Sequence, residues 1–154
     1  MLGTVQDSLL SLIFPQKCQI CSGHVERRAD GVACPECWNS TRLFDHSEML
    51  CEKCGAFFGE KAAPVPVYCH QCDEHFYDRA RALGIYEQGM AANVIGLKSR
   101  PILPPRLRDA IREVVRSTDL FDVDVIVPVP LALPRLRERG FNQAEVIARS
   151  IAMD

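Results

Sequence analysis

Cys18-Gln-Ile-Cys21 is the first of four Cys-x-x-Cys pairs, and the others are Cys34-Pro-Glu-Cys37, Cys51-Glu-Lys-Cys54 and Cys69-His-Gln-Cys72. The pairs contain all 8 cysteines of the chain, and successive pairs are separated by 12, 13 and 14 residues. Each pair can place two thiolates on one metal ion, and two pairs complete a tetrahedral shell. The pattern therefore predicts two zinc ions. Four thiolates leave no open coordination position, so both predicted sites are structural rather than catalytic.

Other cysteine chemistries fit this pattern less well. Disulfides require an oxidising compartment, and small disulfide domains do not usually show four evenly spaced pairs of this kind. A thioredoxin-like redox motif accounts for one pair but not for four. An iron–sulfur cluster normally uses a tighter run of cysteines. Zinc is the metal that the spacing favours.

The pairs can be grouped in two ways. Sequential grouping joins the first pair to the second and the third to the fourth, whereas a cross-braced arrangement joins the first to the third and the second to the fourth. The sequence favours sequential ribbons, with a returning β-hairpin in each gap and a positive-φ glycine, Gly23 or Gly55, after each first pair. With all cysteine pairs intact, the four histidines are expected in loops or on the surface rather than at the metal: His24, His46, His70 and His75.

Composition and charge bound the class of protein. The chain has 154 residues, of which 47 % are hydrophobic and 25 % are charged, as expected of one globular domain or two small ones. Its apolar run near the N-terminus is short and lacks a basic leader, and no stretch is long enough for a membrane span, so we expect a cytoplasmic protein. Residues 1–78 carry 6 Lys and Arg against 11 Asp and Glu, whereas residues 79–154 carry 12 against 9. The acidic cysteine-rich half therefore disfavours nucleic-acid binding by the ribbons, and the basic half is the expected anion-binding part.

The remaining sequence predicts a chain in three parts: an N-terminal helix within residues 1–15, a double zinc ribbon over 16–78, and an α/β domain over 79–154. The helix is expected at 4–14, where Pro15 ends it. In the last part we predict a strand over 81–86, helices over 90–98, 106–116 and 143–152, and a buried strand over 122–127. The fold class is thus a small α+β zinc-ribbon domain followed by an incomplete α/β domain.

A basic segment follows the predicted strand over 122–127. It is expected to be a loop from Leu131 to Gly140 with three arginines, and Asn142 is expected to cap the next helix. Ligands of α/β folds bind beyond the carboxyl ends of strands, and helix N-termini favour phosphate. Phosphate binding is one interpretation, and a solvated basic loop is the other.

Several segments together resemble the ComF-type competence proteins, over about residues 9–154. They are the zinc ribbons, Arg79-Ala-Arg-Ala-Leu-Gly-Ile-Tyr86, Ile95-Gly-Leu-Lys98, Ile126-Val-Pro-Val-Pro-Leu131 and Arg135-Leu-Arg-Glu-Arg-Gly-Phe-Asn-Gln-Ala144. The resemblance implies a double zinc ribbon joined to a type I phosphoribosyltransferase-like domain, with a role in DNA uptake. It also implies a pyrophosphate-side loop made by Arg135, Arg139, Asn142 and Gln143, helped by backbone amides near Gly140.

The sequence departs from the family at several positions. Leu131-Ala132 stands where Leu-His is common, and Lys98-Ser99-Arg100-Pro101 stands where Lys-aromatic-x-Gly is common. The phosphoribosyl-diphosphate loop, two acidic residues followed by Thr-Thr-Gly, does not occur. We therefore expect an N-terminal fragment of a longer protein, with no phosphoribosyltransferase activity alone. No catalytic residue is predicted, and Mg²⁺ would accompany phosphoribosyl diphosphate only in the presence of the missing part.

An apolar stripe on the last predicted helix supports the expectation of a fragment. Val146, Ile147, Ile151 and Met153 form this stripe, and no later residues of this sequence cover it. The alternative function is an interaction module, in which the ribbons bind DNA-uptake proteins and the basic half contacts single-stranded DNA without catalysis.

Overall fold

A computed structural model describes residues 14–45, 47–61, 64–118, 120 and 122–152. The helix predicted over residues 4–14 lies outside this part except for Phe14, and so do His46 and Met153. Four short strands are present in it: β1 Gln16–Lys17, β2 His24–Val25, β3 Met49–Leu50 and β4 Phe57–Gly59. Five α-helices are present: α1 Pro35–Asn39, α2 Gln88–Gly96, α3 Pro105–Arg116, α4 Leu133–Arg139 and α5 Gln143–Ala152. Two 3-10 turns cover Arg28–Asp30 and His70–Glu74. None of the helices described is long and apolar enough to cross a bilayer.

The first cysteine ribbon begins with a hairpin. Strands β1 and β2 are antiparallel, with Gln16 opposite Val25, and the turn between them holds Cys18 and Cys21. The hairpin therefore encloses the first pair, and the prediction that it would fill the gap between the pairs is wrong. Ser22, not Gly23, has the positive φ of 63° in this turn. Gly23 instead makes a close approach, because a Cβ there would lie 3.2 Å from Cys21 Sγ.

The second ribbon repeats this plan. Strands β3 and β4 are antiparallel, with Leu50 opposite Phe57, and Cys51 and Cys54 lie between them. Gly55 has φ +70°, as predicted, and a Cβ there would lie 3.1 Å from the backbone nitrogen of Ala82. Only glycine meets both the left-handed conformation and this close approach without strain.

The chain divides into two compact units. One contains the residues up to Thr41 together with those from Tyr86 onward, and the other is Arg42–Ile85. Each unit contains one group of four cysteines. The predicted boundaries at residues 15 and 78 stay predictions.

The core of the first unit joins the first ribbon to helices α2 and α3. Trp38, Leu97 and Leu107 are at most 2 % exposed. Trp38 Nε1 donates to the Asp30 carbonyl at 2.7 Å. Asn93, on α2, accepts the Val32 amide proton at 3.0 Å. A polar connection between segments more than 60 residues apart therefore accompanies the apolar packing.

Three predicted helices are confirmed with small shifts at their ends. Helix α3 starts at Pro105, whose missing N–H is tolerated at the first helical position, and buries Leu107. Helix α5 covers Gln143–Ala152, as predicted. Helix α2 runs from Gln88 to Gly96 and leaves the apolar Ile95 50 % exposed.

Three predictions for the second half differ from the structure. Residues 122–127 form no strand, and Val125 and Val127 are 72 % and 78 % exposed. A strand needs a neighbour for its backbone groups, and the part of the chain described here provides none at this segment. Residues 81–86 form a single antiparallel bridge, Gly84 to Leu43, instead of a strand. The loop expected over 131–140 is mostly helix α4, because Pro134 fits a first helical turn.

Helix α3 covers part of the apolar stripe that the sequence predicted on helix α5. The two helices pack together, and Arg112 of α3 donates to the Ser150 carbonyl of α5 at 2.7 Å. Val146, Ile147 and Ile151 are half-buried as a result.

Candidate metal centres

The first candidate centre consists of Cys18, Cys21, Cys34 and Cys37, whose sulfurs all lie within 4.8 Å of one another. The Cys18–Cys37 and Cys21–Cys34 sulfur distances are 3.8 Å and 3.6 Å. A disulfide bond would need about 2.05 Å. A tetrahedral zinc with bonds of about 2.3 Å spaces its sulfurs about 3.8 Å apart. These sulfur distances fit a zinc ion bound by four thiolates, and they are too long for disulfide bonds.

Two kinds of local structure position these four thiols. The hairpin turn carries Cys18 and Cys21. The backbone amide of Ile20 donates to Cys18 Sγ, and that of Gly23 donates to Cys21 Sγ, each at 3.4 Å. Cys34 is the residue before α1, and Cys37 lies in the helix. Positions three apart share a helix face, so the second pair also directs both thiols to one point.

The second candidate centre, with Cys51, Cys54, Cys69 and Cys72, is built in the same way. The Cys51–Cys72 and Cys54–Cys69 sulfur distances are both 3.6 Å, and Cys69 and Cys72 are 3.2 Å apart. Cys72 lies in the 3-10 turn that starts at His70. The structure therefore groups the pairs sequentially, and the cross-braced alternative does not occur.

The thiols of each centre differ in their electrostatic environment. Burial would raise the pKa of Cys18, but hydrogen bonds from the backbone of Cys21, Cys34 and Ile20 outweigh it and lower that pKa to about 6. Cys51 has its pKa lowered to about 6 by the corresponding backbone groups in the second centre, again against burial. Burial and neighbouring thiols raise the pKa of Cys37 and of Cys72. Cys18 and Cys51 thus ionise more readily than Cys37 and Cys72.

Each candidate centre consists of four cysteine thiols, a ligand set that fits zinc. Among the described residues, neither group of potential metal ligands contains a histidine. His24, His70 and His75 are exposed, in agreement with the prediction for them. The two four-cysteine sites are consistent with two structural zinc ions.

Three of the predicted phosphate residues, Arg139, Asn142 and Gln143, lie at the junction of α4 and α5, whereas Arg135 lies about one turn earlier on α4. Arg135 is exposed on α4 and lies 3.5 Å from the Glu138 carboxylate. Arg139 is the last residue of α4, which Gly140 terminates with φ +78°. Asn142 caps α5, because its Oδ1 accepts the Ala144 amide proton at 3.0 Å.

The remaining contacts of this junction involve amide side chains. Asn142 Nδ2 donates to the Val129 carbonyl at 2.9 Å, which joins the junction to the segment before it. Among the buried side-chain nitrogen and oxygen atoms of the described residues, Gln143 Nε2 alone has no hydrogen-bond partner. The junction therefore offers one unused buried donor.

Two features were not predicted from sequence. Asp30 is 1 % exposed and forms ion pairs with Arg27 and Arg106, each at 3.1 Å. A cavity of about 720 Å³ lies beside α3 and α5, and its walls include Arg112, Leu120, Val125 and Ile151. The β-branched run over 123–127 was the available signal for this cavity, although it indicated a buried strand.

Comparison with known proteins gives one result. The family model described as "Double zinc ribbon domain" matches residues 9–74. Neither the curated proteins nor the solved structures contain a match to this chain. The matched range includes both cysteine groups, so residues 9–74 form a double zinc ribbon domain with two four-cysteine sites.

Proposed function

We propose that this chain is a ComF-type, phosphoribosyltransferase-like protein, in which the zinc ribbons are scaffold and the α4–α5 junction is half of a phosphate site. Each group of four cysteines holds one structural zinc in this proposal, through Cys18, Cys21, Cys34 and Cys37 and through Cys51, Cys54, Cys69 and Cys72. The protein acts in the cytoplasm in the uptake or use of external DNA. The motif resemblance from Arg79 to Ala144 supports this assignment.

The observation that carries the phosphate site is the unpartnered donor Gln143 Nε2 at the first residue of α5. A helix N-terminus presents backbone N–H groups and a positive dipole end, so it favours an anion. Arg139 and Gly140 lie shortly before this end, separated from Gln143 by Phe141 and Asn142. An oxygen of phosphate would accept a hydrogen bond from Gln143 Nε2, once this buried amide turns outward to meet it.

In this site Arg135 and Arg139 supply positive charge, Gln143 supplies a donor, and Asn142 fixes the start of α5. Asn142 already uses both ends of its amide within the fold, so its part is to position the junction. No residue here activates a nucleophile, and the chain alone is proposed to bind phosphate without turning over phosphoribosyl diphosphate. Mg²⁺ would enter with phosphoribosyl diphosphate only through residues that this chain lacks.

Calorimetric titration with inorganic pyrophosphate and with phosphoribosyl diphosphate tests the phosphate site. We expect Arg139→Ala and Gln143→Leu each to weaken binding, because they remove a charge and a donor at the anion. Arg149→Ala is the matched control, since Arg149 lies on the same helix and pairs with Glu145 at 2.7 Å. Equal affinity of all variants for both ligands would show that phosphate does not bind at this junction.

A second candidate function is an interaction module that binds proteins through the ribbons without catalysis. The second unit leaves large apolar side chains exposed, namely Phe58, Val65, Tyr68, Phe76 and Tyr77. Exposed apolar side chains mark an interaction site where they are contiguous, and Phe76 and Tyr77 are neighbours in the chain. Single-stranded DNA is the other partner in this proposal, and it would contact the basic half.

The salt dependence of binding to an oligothymidylate tests the DNA part. Contacts between several arginines and phosphates release counterions, so affinity should fall steeply as salt increases. Binding that is absent at low salt would remove DNA as a partner and leave protein docking.

A further inference from the structure

The segment 73–78 of the second unit presents an exposed phenylalanine between acidic residues. Phe76 is 104 % exposed, and its neighbour Tyr77 is 40 % exposed. The sequence around them is Asp73-Glu-His-Phe-Tyr-Asp78. A phenylalanine side chain that contributes nothing to its own fold is an unused source of binding free energy, because burying it in a partner removes its apolar surface from water.

The segment is held at its start and at its middle, so Phe76 is presented from a defined backbone. Lys53 Nζ donates to the Cys72 carbonyl at 2.9 Å and to the His75 carbonyl at 2.8 Å. The rings of His75 and Tyr77 stack with their centroids 5.1 Å apart. Cys72 belongs to the second candidate metal centre, which anchors the start of the segment. A preordered contact loses little conformational freedom on binding, and this favours affinity.

The charge of this surface defines the chemistry of its partner. Asp73, Glu74 and Asp78 are exposed and form no ion pair within the described part of the chain, and the segment contains no Lys or Arg. The whole unit, residues 42–85, has 5 Lys and Arg against 7 Asp and Glu. A zinc ion with four thiolates adds a further formal charge of about −2. The surface therefore repels nucleic acid and attracts cations.

We propose that the segment 73–78 docks a basic protein segment, with Phe76 packed against apolar side chains of the partner and the three carboxylates facing its Lys and Arg side chains. This inference rests on the second candidate function, the interaction module, and it names the surface and the partner class. A central aromatic anchor with a charged rim is the usual anatomy of a protein–protein hot spot. The proposed docking surface does not depend on the phosphate site.

Selection from a displayed library of random peptides tests the proposal with the zinc-loaded full chain as bait. We expect the selected peptides to be rich in Lys and Arg around one or two apolar residues. Phe76→Ala should weaken their binding about tenfold or more, as is typical of an aromatic hot spot. Tyr86→Ala is the matched control, since Tyr86 is also an exposed aromatic, at 59 %, but belongs to the first unit. Asp73→Asn with Asp78→Asn should weaken binding and reduce its dependence on salt.

Three outcomes would overturn the proposal. Selected peptides that bind the wild type and Phe76→Ala equally would place the interaction elsewhere and leave the interaction module standing. Peptides without an excess of basic residues would contradict the partner class. An absence of any selected peptide would contradict the docking of a basic partner on this segment, while the interaction module would still be open to test with folded proteins. Because Phe76 is fully exposed, its substitution should leave folding and zinc content unchanged, and measured zinc content checks this.

Discussion

Arg106 Nη1 lies 3.1 Å from the Asp30 carboxylate, and thus connects the first turn of α3 to the first zinc ribbon across 76 residues of sequence. Asp30 is almost completely buried, and its second carboxylate oxygen pairs with Arg27. The Arg106 guanidinium also lies over the Trp38 ring, 4.8 Å from its centroid. This contact makes the first ribbon and α3 parts of one packed unit.

Loss of this contact should destabilise the first unit. Arg106→Gln leaves a buried carboxylate with one cation, and a hydrogen bond to a charged group contributes about 1.5–3 kcal/mol. Arg108→Gln is the control, because Arg108 pairs with the exposed Asp109 and surface pairs contribute about 0–1 kcal/mol. Urea unfolding of the zinc-loaded proteins measures both changes. Equal unfolding midpoints for the two variants would contradict the role given to Arg106.

Asn93 should be sensitive to truncation although it is not a ligand. Its Nδ2 donates to the Asp30 and Gly89 carbonyls, and its Oδ1 accepts from Val32. Asn93→Ala leaves buried backbone groups unpaired, at a cost of about 1–3 kcal/mol each. The exposed Asn39 offers a matched Asn39→Ala control, which should change the free energy of unfolding by less than about 0.5 kcal/mol. Thermal and urea unfolding compare the two, and a similar loss in both would contradict this role.

Two of the three positive-φ glycines among the described residues, Gly55 and Gly140, should differ in their tolerance of alanine. Gly140 has open space around its Cβ position, so Gly140→Ala should cost only the left-handed backbone conformation, about 1–2 kcal/mol. Gly55 has the same sign of φ and also lies against the backbone of Ala82. Gly55→Ala should therefore cost more, and it should weaken zinc binding at the second centre in competition with a chromogenic chelator. A larger loss of stability at Gly140 would contradict the packing around Gly55.

Loss of the first zinc centre and loss of the second should destabilise different parts of the chain. Because the first centre shares a unit with α2 and α3, Cys37→Ser should increase amide hydrogen exchange in residues 88–116 as well as in the first ribbon. Cys72→Ser should increase exchange within residues 42–85 and leave α2 and α3 protected. Full chelation should unfold both ribbons, which far-UV circular dichroism and proteolysis follow. Identical exchange patterns in the two variants would contradict the division into units.

The features predicted correctly from sequence are those that local spacing determines. Two thiols separated by two residues converge on one point in a tight turn, so the Cys-x-x-Cys pairs could be identified as potential ligands without knowledge of the fold. Helix α3 shows its apolar period and its N-terminal Pro105 in the sequence, and Asn142 marks the start of α5. Gly55 was predicted to have a positive φ for the same local reason.

The features missed depend on partners distant in sequence. Residues 122–127 have the β-branched composition of a strand, but a strand forms only when a neighbouring segment supplies its hydrogen bonds. The burial of Asp30 and the three hydrogen bonds of Asn93 arise from packing between the first ribbon and the helices. The periodicity of apolar residues in the sequence gives no information on this packing. Residues 131–140 were expected to be a loop because they follow the predicted strand, although their arginines favour a helix as much as lysine or glutamine does.

The most direct test of the two sequential four-cysteine zinc sites is the zinc stoichiometry measured by native mass spectrometry on the wild type and on the double variant Cys21→Ser/Cys34→Ser. Both substituted residues belong to the first centre, and Cys51, Cys54, Cys69 and Cys72 remain intact. We predict two zinc ions on the wild type and one on the variant. A variant without zinc would contradict sequential pairing, because only a cross-braced arrangement places Cys21 and Cys34 in different centres, and a wild type without zinc would contradict the metal sites themselves.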